Sequence, residues 1–273
     1  MDDAGMAYDW ISVTTDYGLR DGFVAACHGV IARLAPAVRV IDVTHEVPPQ
    51  DIRHGAMALA QTAPFLPASV HVAVVDPGVG TARLGVVVVA EDGLLVGPDN
   101  GLLLPAAQAL GGVRAAYELA EPSLRLPVTS ATFHGRDVFA PAAAHLALGV
   151  APSAFGDPVT DLVSMPEPFV AAFPGKLVSE VLTVDHFGNV QLAATPADLE
   201  LSGLTGAVSV HSERVAVTTV LGRTFADVPA GASVLYTDSA GRLAVAVNGG
   251  SAAAVLGLGP AQECTITSSP TAS

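Results

Sequence analysis

The chain has 273 residues, of which 51% are hydrophobic and 14% are charged. This composition excludes global disorder, because a chain of this length and apolar content can bury a sizeable core. The formal net charge of −14 excludes the basic surface with which nucleic-acid-binding proteins neutralise phosphates, so we expect no nucleic-acid partner.

The sequence shows no targeting signal. Met1–Gly5 contains acidic residues where a secretory signal peptide carries basic ones. The two cysteines, Cys27 and Cys264, lie far apart and form neither a disulfide framework nor a paired metal-binding motif. The longest apolar runs, such as Leu84–Ala90, are too short to span a bilayer. We therefore expect a cytoplasmic protein with no membrane partner.

Short apolar runs alternate with amphipathic stretches in the first half of the chain. The apolar runs predict strands at Ile11–Thr15, Val38–Val43, Val70–Val75, Leu84–Ala90 and Leu94–Val96. Helical spacing of apolar residues predicts helices at Gly22–Leu34, Gln50–Phe65 and Arg136–Leu148. The Glu-Asp-Gly sequence before Leu94 predicts a hairpin between the last two strands. Over residues 1–160 this alternation predicts an α/β domain with a mainly parallel sheet.

A proline-rich stretch divides the two halves. Residues 161–176 include Pro166, Pro168 and Pro174 and are predicted to form a linker. Residues 177–273 contain short apolar runs separated by Gly, Asn and Ser, which is typical of a small antiparallel β-barrel-like domain. The predicted strands are Lys176–Asp185, Val190–Leu192, Ala207–Val210, Ala216–Val220, Ser233–Tyr236 and Leu243–Val247.

The common catalytic motifs are incomplete or absent. Gly78–Arg83 lacks the third glycine of a dinucleotide-binding loop, and no Walker A lysine is present. His45–Pro49 is not a zinc-binding HExxH sequence, because it lacks the second histidine and its prolines break a helix. No Gly-x-Ser-x-Gly elbow occurs. The motifs therefore predict neither a metal site nor a conventional hydrolase triad.

Acidic residues lie at the ends of three predicted strands, namely Asp16, Asp76 and Asp99. In open α/β sheets, ligands bind at the carboxyl ends of the strands, so we expect these carboxylates to converge on one crevice. The alternative is that each aspartate caps a helix or begins a turn. Because there are three, each near a Gly or Pro, we favour a ligand site.

Two further segments have an ordinary structural interpretation when each is taken alone. His134 precedes a predicted helix and would be a loop histidine, with Asp137 an acid in the first helical turn. Asp185–Asn189 lies between two predicted strands and would be a hairpin turn.

Six short motifs extend over nearly the whole chain. They are Thr15–Gly18 with Asp21, Asp42–His45, Val75–Gly80, Gly97–Gly101, Phe133–Asp137 and Asp185–Asn189. Together and in this order, they resemble the S-adenosyl-L-methionine (SAM) hydroxide adenosyltransferases. These enzymes are also called SAM hydrolases, and they are related to the fluorinase and the chlorinase.

The resemblance implies a fold, an assembly and a reaction. The implied fold is an N-terminal α/β domain followed by a C-terminal β-barrel-like domain. The implied assembly is a homotrimer in which each active site lies between the N-terminal domain of one subunit and the C-terminal domain of a neighbour. The implied reaction is attack of water, as hydroxide, on C5′ of SAM, which releases adenosine and L-methionine. No cofactor is implied, since SAM is the substrate.

The resemblance also assigns residues. The family's hydroxide-handling triad falls on Asp76, Arg83 and His134. The implied substrate-binding residues are Asp16 for the ribose, Asp185 for the methionine end, Phe187 and Asn189 for the adenine, Ser239 for the methionine carboxylate, and also Asp21 and Asn248.

Three positions distinguish this chain from the halogenating branch of the family. Asp76 stands where the halogenases have a Tyr, His134 where they have a small residue, and Gln50 where the fluorinase has a Trp. An added carboxylate would repel a halide ion, so we predict a SAM hydrolase. A chlorinase-like halogenase and a SAM- or adenosine-binding sensor with little turnover are the alternatives.

Overall fold

The computed structural model describes residues 7–269. The chain divides into two compact units between Met165 and Pro166. The described residues do not include Met1–Gly5, the acidic segment that we do not expect to be a signal peptide. Within the described part of the chain, no helix is both long enough and apolar enough to cross a membrane.

The first unit combines a six-stranded sheet with helices. Its strands are β1 (Trp10–Thr15), β2 (Arg39–Thr44), β3 (Val70–Val74), β4 (Gly85–Ala90), β5 (Leu94–Pro98) and β6 (Val113–Glu118). Its helices are α1 (Phe23–Leu34), α2 (Ile52–Thr62), α3 (Leu104–Ala109) and α4 (Ala140–Ala147). One π-helical turn, Gly135–Phe139, leads directly into α4.

The sheet order is β2-β1-β3-β5-β4-β6. The first four of these strands pair in parallel, whereas β4 is antiparallel to both of its neighbours. A mainly parallel sheet is therefore confirmed, as is the hairpin between β4 and β5. Helix α2 begins later than predicted because the Asp51 side chain caps it, accepting a hydrogen bond from the His54 amide at 2.9 Å.

The central strands are buried on both faces, as their continuous apolar sequences indicate. On one face, Val72 and Val96 pack with Phe139 of the π-helical turn and with residues of α1 and α4 in a first core cluster. On the other face, Ala73 and Leu95 belong to a second cluster with residues of α2 and α3. The helices thus cover both sides of the sheet and leave the carboxyl ends of its strands for a site.

The second unit contains eight strands and two short helices among its described residues. The strands are β7 (Val170–Phe173), β8 (Lys176–Val184), β9 (Val190–Leu192), β10 (Ala207–His211), β11 (Ala216–Leu221), β12 (Ser233–Thr237), β13 (Leu243–Val247) and β14 (Glu263–Ser268). The helices are α5 (Pro196–Ser202) and α6 (Ala252–Leu256). Strand β7 falls within residues 161–176, the stretch predicted as a linker, and pairs with β8.

Seven of these strands form a closed barrel in the order β14-β10-β11-β12-β13-β9-β8, which the pairing of β14 with β8 completes. The predicted barrel-like domain is confirmed. One pairing differs from the antiparallel expectation, because β11 and β12 run parallel. The connection between them contains a helical turn at Phe225–Asp227 and is longer than a tight hairpin turn. It therefore allows β12 to run in the same direction as β11.

The elements that the sequence did not predict are short. Helices α3, α5 and α6 and strands β6, β7 and β14 each span between four and seven residues.

Candidate active site

The carboxyl ends of β1 and β3 lie side by side, because these strands pair in parallel. Asp16 follows β1 directly, and Asp76 follows β3 after one intervening residue. Both carboxylates line a cavity of about 240 Å³ together with Tyr17, Gln50 and His134. Two of the three strand-end aspartates therefore converge as predicted.

Asp76 and Arg83 form a buried ion pair. Arg83 donates two hydrogen bonds to the carboxylate, from Nε to Oδ1 at 3.0 Å and from Nη2 to Oδ2. The two side chains are only 6% and 9% exposed, respectively. Burial raises the pKa of Asp76, although the charge and hydrogen bonds of Arg83 oppose this effect. The bidentate geometry sets the orientation of both groups.

His134 completes the network through Arg83. Its Nδ1 lies 3.2 Å from Arg83 Nη2. Because a guanidinium can only donate hydrogen bonds, Nδ1 must accept, and the neutral ring then carries its proton on Nε2. Burial and then the positive charge of Arg83 lower the pKa of His134 from 6.5. His134 thus lines the cavity as a neutral ring that carries an N–H at Nε2.

Asp137 orders the loop that carries His134. It is fully buried and accepts hydrogen bonds from Arg136 Nε at 2.6 Å and from the Ser130 amide at 2.7 Å. Burial by itself would raise the pKa of Asp137, but the hydrogen bonds and charge of Arg136 and the Ser130 amide hold it below its usual value. Asp137 is therefore not only an acidic residue in a first helical turn, because its hydrogen bonds also connect the two ends of the segment 130–137.

A glycine lets this loop approach the loop between Asp76 and Arg83. Gly80 has a φ of +77°, and a Cβ at this position would lie 2.5 Å from the Ala131 carbonyl oxygen. Only a residue without a side chain permits both the backbone conformation and the close approach.

We expect Gly80→Ala to reduce both stability and turnover. The left-handed backbone alone costs about 1–2 kcal/mol, and the clash with Ala131 moves the His134 loop away from Arg83. Gly78→Ala is the matched control in the same loop, since its nearest contacts would lie at an ordinary 3.6 Å. Urea unfolding and turnover assays of both variants test this expectation, and equal behaviour of the two would contradict it.

Asp16 and Tyr17 also line the cavity. Asp16 Oδ2 accepts a hydrogen bond from the Gln50 amide at 2.9 Å, and Gln50 adopts a φ of 67°. The Tyr17 ring packs edge-on against Phe23 and Phe133. Burial raises the pKa of Tyr17, so its hydroxyl remains protonated. The sequence motifs contain Tyr17 and Phe133 but do not reveal this aromatic contact.

Asp99 does not join the cavity, contrary to the expectation for all three strand-end aspartates. Its Oδ1 accepts a hydrogen bond from the Val163 amide at 2.9 Å, and it is absent from the cavity lining. Asp99 fits neither interpretation, because the amide that its side chain binds lies 64 residues away in the sequence. Asp21 is exposed in the bend before α1 and does not line the cavity either.

The other predicted substrate-binding residues lie on loops of the second unit. Asp185 caps the turn between β8 and β9, accepting from the amides of Phe187 and Asn189 at 2.9 Å each. The hairpin interpretation of this segment is correct as a description of its backbone. Phe187 is 76% exposed, so its ring is available to a ligand or partner.

Ser239 and Asn248 have different surroundings. Ser239 is exposed in the turn between β12 and β13. Asn248 donates from Nδ2 to the Val228 carbonyl oxygen at 2.8 Å, which anchors the loop before β12. Their roles toward a substrate remain predictions.

A further group of side chains, which the sequence motifs did not identify as ligands, could hold a metal ion. The ligand atoms of His28, Asp42 and His45 all lie within 4.8 Å of one another. Their positions in the chain match no common metal-binding spacing, so only the fold reveals the group.

Comparisons with known proteins find relatives of both units. The family model described as the SAM hydroxide adenosyltransferase N-terminal domain matches residues 11–156, and that of the C-terminal domain matches residues 179–265. A Salinispora arenicola protein named (R)-S-adenosyl-L-methionine hydrolase is 60% identical over 94% of this chain and 97% of its own length. A fluorinase from an Actinoplanes species is 29% identical over 87% of this chain and 90% of its own length.

A solved structure gives the same result for the fold. A crystal structure of an uncharacterized conserved protein from Thermotoga maritima superimposes with a TM-score of 0.88 at 35% sequence identity. The match covers 94% of this chain and 99% of that protein.

Proposed function

The chain belongs to the SAM hydroxide adenosyltransferase family, and we propose that it hydrolyses SAM to adenosine and L-methionine. The observation that carries the proposal is the buried Asp76–Arg83 ion pair, joined by the half-buried His134 at the edge of a small cavity. The similarity to proteins named SAM hydrolase, at 60% identity, exceeds that to the fluorinase, at 29%.

The reaction is a nucleophilic substitution at C5′ of SAM. The water oxygen forms a bond to C5′ while the C5′–S bond breaks, and the electron pair of that bond neutralises the sulfonium as the thioether of methionine. One proton leaves the attacking water. Because the leaving group departs uncharged, the reaction needs no general acid, and the enzyme has to position the water and accept its proton.

The hydrogen-bond directions support a separate role for each member of the network. Arg83 has no lone pair, and the Nδ1 of His134 already accepts from Arg83. The Asp76 carboxylate therefore accepts the proton of the attacking water. His134 donates from Nε2 to the water oxygen, and Arg83 holds both partners in place.

The charge of the cavity favours this reaction over halogenation. Asp16 and Asp76 both line the cavity, and their carboxylates attract the sulfonium of SAM. The same carboxylates would repel a halide ion. The second candidate function, a chlorinase-like halogenase, is therefore disfavoured.

Substrate binding and assembly follow the family resemblance. Asp16 holds the ribose, Asp185 and Ser239 bind the methionine end, and Phe187 and Asn189 bind the adenine. Asp21 and Asn248 are further substrate-binding residues. The chain assembles as a homotrimer whose neighbouring subunits share each site, and it acts in the cytoplasm without a cofactor. The Phe187 ring is exposed in the single chain, which supports the proposal that it contacts a ligand or a neighbouring subunit.

Product analysis tests the function directly. The purified protein is incubated with SAM, with and without chloride, and the products are separated by chromatography. We expect adenosine and methionine in equal amounts under both conditions. Formation of 5′-chloro-5′-deoxyadenosine would identify a halogenase, and SAM binding without any product would identify a sensor.

The same network predicts a pH dependence. In the proposed reaction Asp76 is an ionised carboxylate and His134 is a neutral ring. A protonated His134 ring could no longer accept a hydrogen bond from Arg83. Since the pKa of His134 is lowered from 6.5, protonation of His134 should reduce kcat/KM only below that value. A pH profile of kcat/KM measures this, and an acid limb centred above 6.5 would contradict the assignment.

A further inference from the structure

Three side chains outside the cavity bring potential metal ligands together. His28 lies on α1, Asp42 on β2, and His45 directly after β2. Asp42 Oδ1 is 2.9 Å from His28 Nε2 and 3.0 Å from His45 Nε2. Two histidine nitrogens and one carboxylate oxygen thus face a single point.

One ligand atom of this group lacks a hydrogen bond. His45 is 5% exposed, and its Nε2 makes no hydrogen bond among the described residues despite its closeness to Asp42. A buried polar atom without a hydrogen bond is costly and requires an explanation. A cation bound between the three ligand atoms would explain why His45 Nε2 has no hydrogen-bond partner.

The orientation of the His45 ring is set from its other nitrogen. His45 Nδ1 lies 2.8 Å from the Thr15 hydroxyl oxygen. When Nδ1 carries the proton and donates it to Thr15, Nε2 presents its lone pair to Asp42 and His28. This arrangement, in which a metal-binding histidine donates from its other nitrogen, is common at metal sites.

We propose that His28, Asp42 and His45 bind one divalent transition-metal ion, such as Zn²⁺. Imidazole nitrogens favour Zn²⁺ and its neighbours in the first transition row over Mg²⁺ or Ca²⁺, which prefer oxygen ligands. Bonds of about 2.0–2.1 Å in a tetrahedral site place ligand atoms roughly 3.3 Å apart, so the two separations from Asp42 Oδ1 need to widen by only a few tenths of an ångström. The side chains of His28 and Asp42 are 33% and 42% exposed, which allows water to complete the coordination.

The site is connected to the segment that carries Asp16. The Gly18 amide donates to the His45 carbonyl oxygen at 2.7 Å, and the Tyr17 amide donates to the Thr15 hydroxyl at 3.3 Å. An ion at His45 therefore stabilises residues 15–18 and the wall of the cavity that they form. This role is structural, and it holds whether or not the proposed hydrolysis is correct.

Metal binding by untagged protein tests the proposal without any substrate. Equilibrium dialysis against Zn²⁺, after removal of metal by a chelator, should show one tightly bound Zn²⁺ per chain. We expect His28→Gln, Asp42→Asn and His45→Gln each to weaken this binding more than about 10-fold. His211→Gln is the control, since it removes a histidine of the second unit that contacts Thr267.

A stability measurement covers the case in which His45→Gln fails to fold. Zn²⁺ should raise the Tm of the wild-type protein and of His211→Gln, but not that of His28→Gln, whose side chain is partly exposed. Equal Zn²⁺ affinity of the ligand variants and the control, or no stoichiometric binding by the wild type, would overturn the proposal.

Discussion

Replacing Asp76, Arg83 or His134 by alanine should lower kcat by about 10²–10⁴-fold while changing the KM for SAM only a few-fold. The reason is that Arg83 contacts both Asp76 and His134 at the point where we propose that water is activated, whereas other residues are assigned to the adenine and methionine ends. Because they act as one unit, the double variants should lose little more than the single ones.

Stability measurements separate loss of chemistry from loss of folding. Arg83→Ala leaves the Asp76 carboxylate buried without its partner and should destabilise the protein by about 3–5 kcal/mol. The double variant Asp76→Ala/Arg83→Ala should regain part of that loss, because no charge is then buried alone. The control is the exposed pair Arg114–Glu91, whose side chains are 62% and 49% exposed and whose removal should leave kcat unchanged.

Two outcomes would contradict this account of the network. Turnover near the wild-type value in any two of the single variants would show that water is activated elsewhere. A multiplicative loss in the double variants would show that the residues act independently.

Mixing two inactive chains should restore activity if neighbouring subunits share each site. Asp16→Ala disables the first unit and Asp185→Ala disables the second, so each variant alone should be inactive. In trimers formed from equal amounts of both, about a quarter of the sites combine an intact first unit with an intact second unit. We therefore expect recovery of about a quarter of the wild-type activity.

A matched pair of variants provides the control for this experiment. Asp16→Ala and Arg83→Ala both alter the first unit, so no mixture of these chains produces an intact site. Native mass spectrometry confirms that subunits have exchanged. Absence of recovery in the Asp16→Ala and Asp185→Ala mixture, despite exchange, would mean that each chain builds its own site.

The sequence predicted the features that depend on local pattern. Continuous apolar runs predicted the buried strands β3 and β5, and the parallel order of β1 and β3 then places Asp16 beside Asp76. The family motifs predicted that Arg83 and His134 belong with Asp76, and the structure places the three in one network.

Contacts between distant residues were not predictable in the same way. The Asp99 carboxylate accepts a hydrogen bond from the amide of Val163, 64 residues later in the chain. No local sequence pattern indicates this partner. The group formed by His28, Asp42 and His45 depends on the packing of α1 against the edge of the sheet, which fixes positions that sequence spacing leaves open. The parallel pairing of β11 with β12 depends on a long connection in the same way.

Hydrolysis in ¹⁸O-labelled water tests the central claim most directly. If water attacks C5′ of SAM, mass spectrometry should find one ¹⁸O atom in the adenosine, at its 5′-hydroxyl, and none in the methionine. Adenosine without the label would contradict the account, as would release of 5′-methylthioadenosine with labelled homoserine, which would place the attack on the methionine chain.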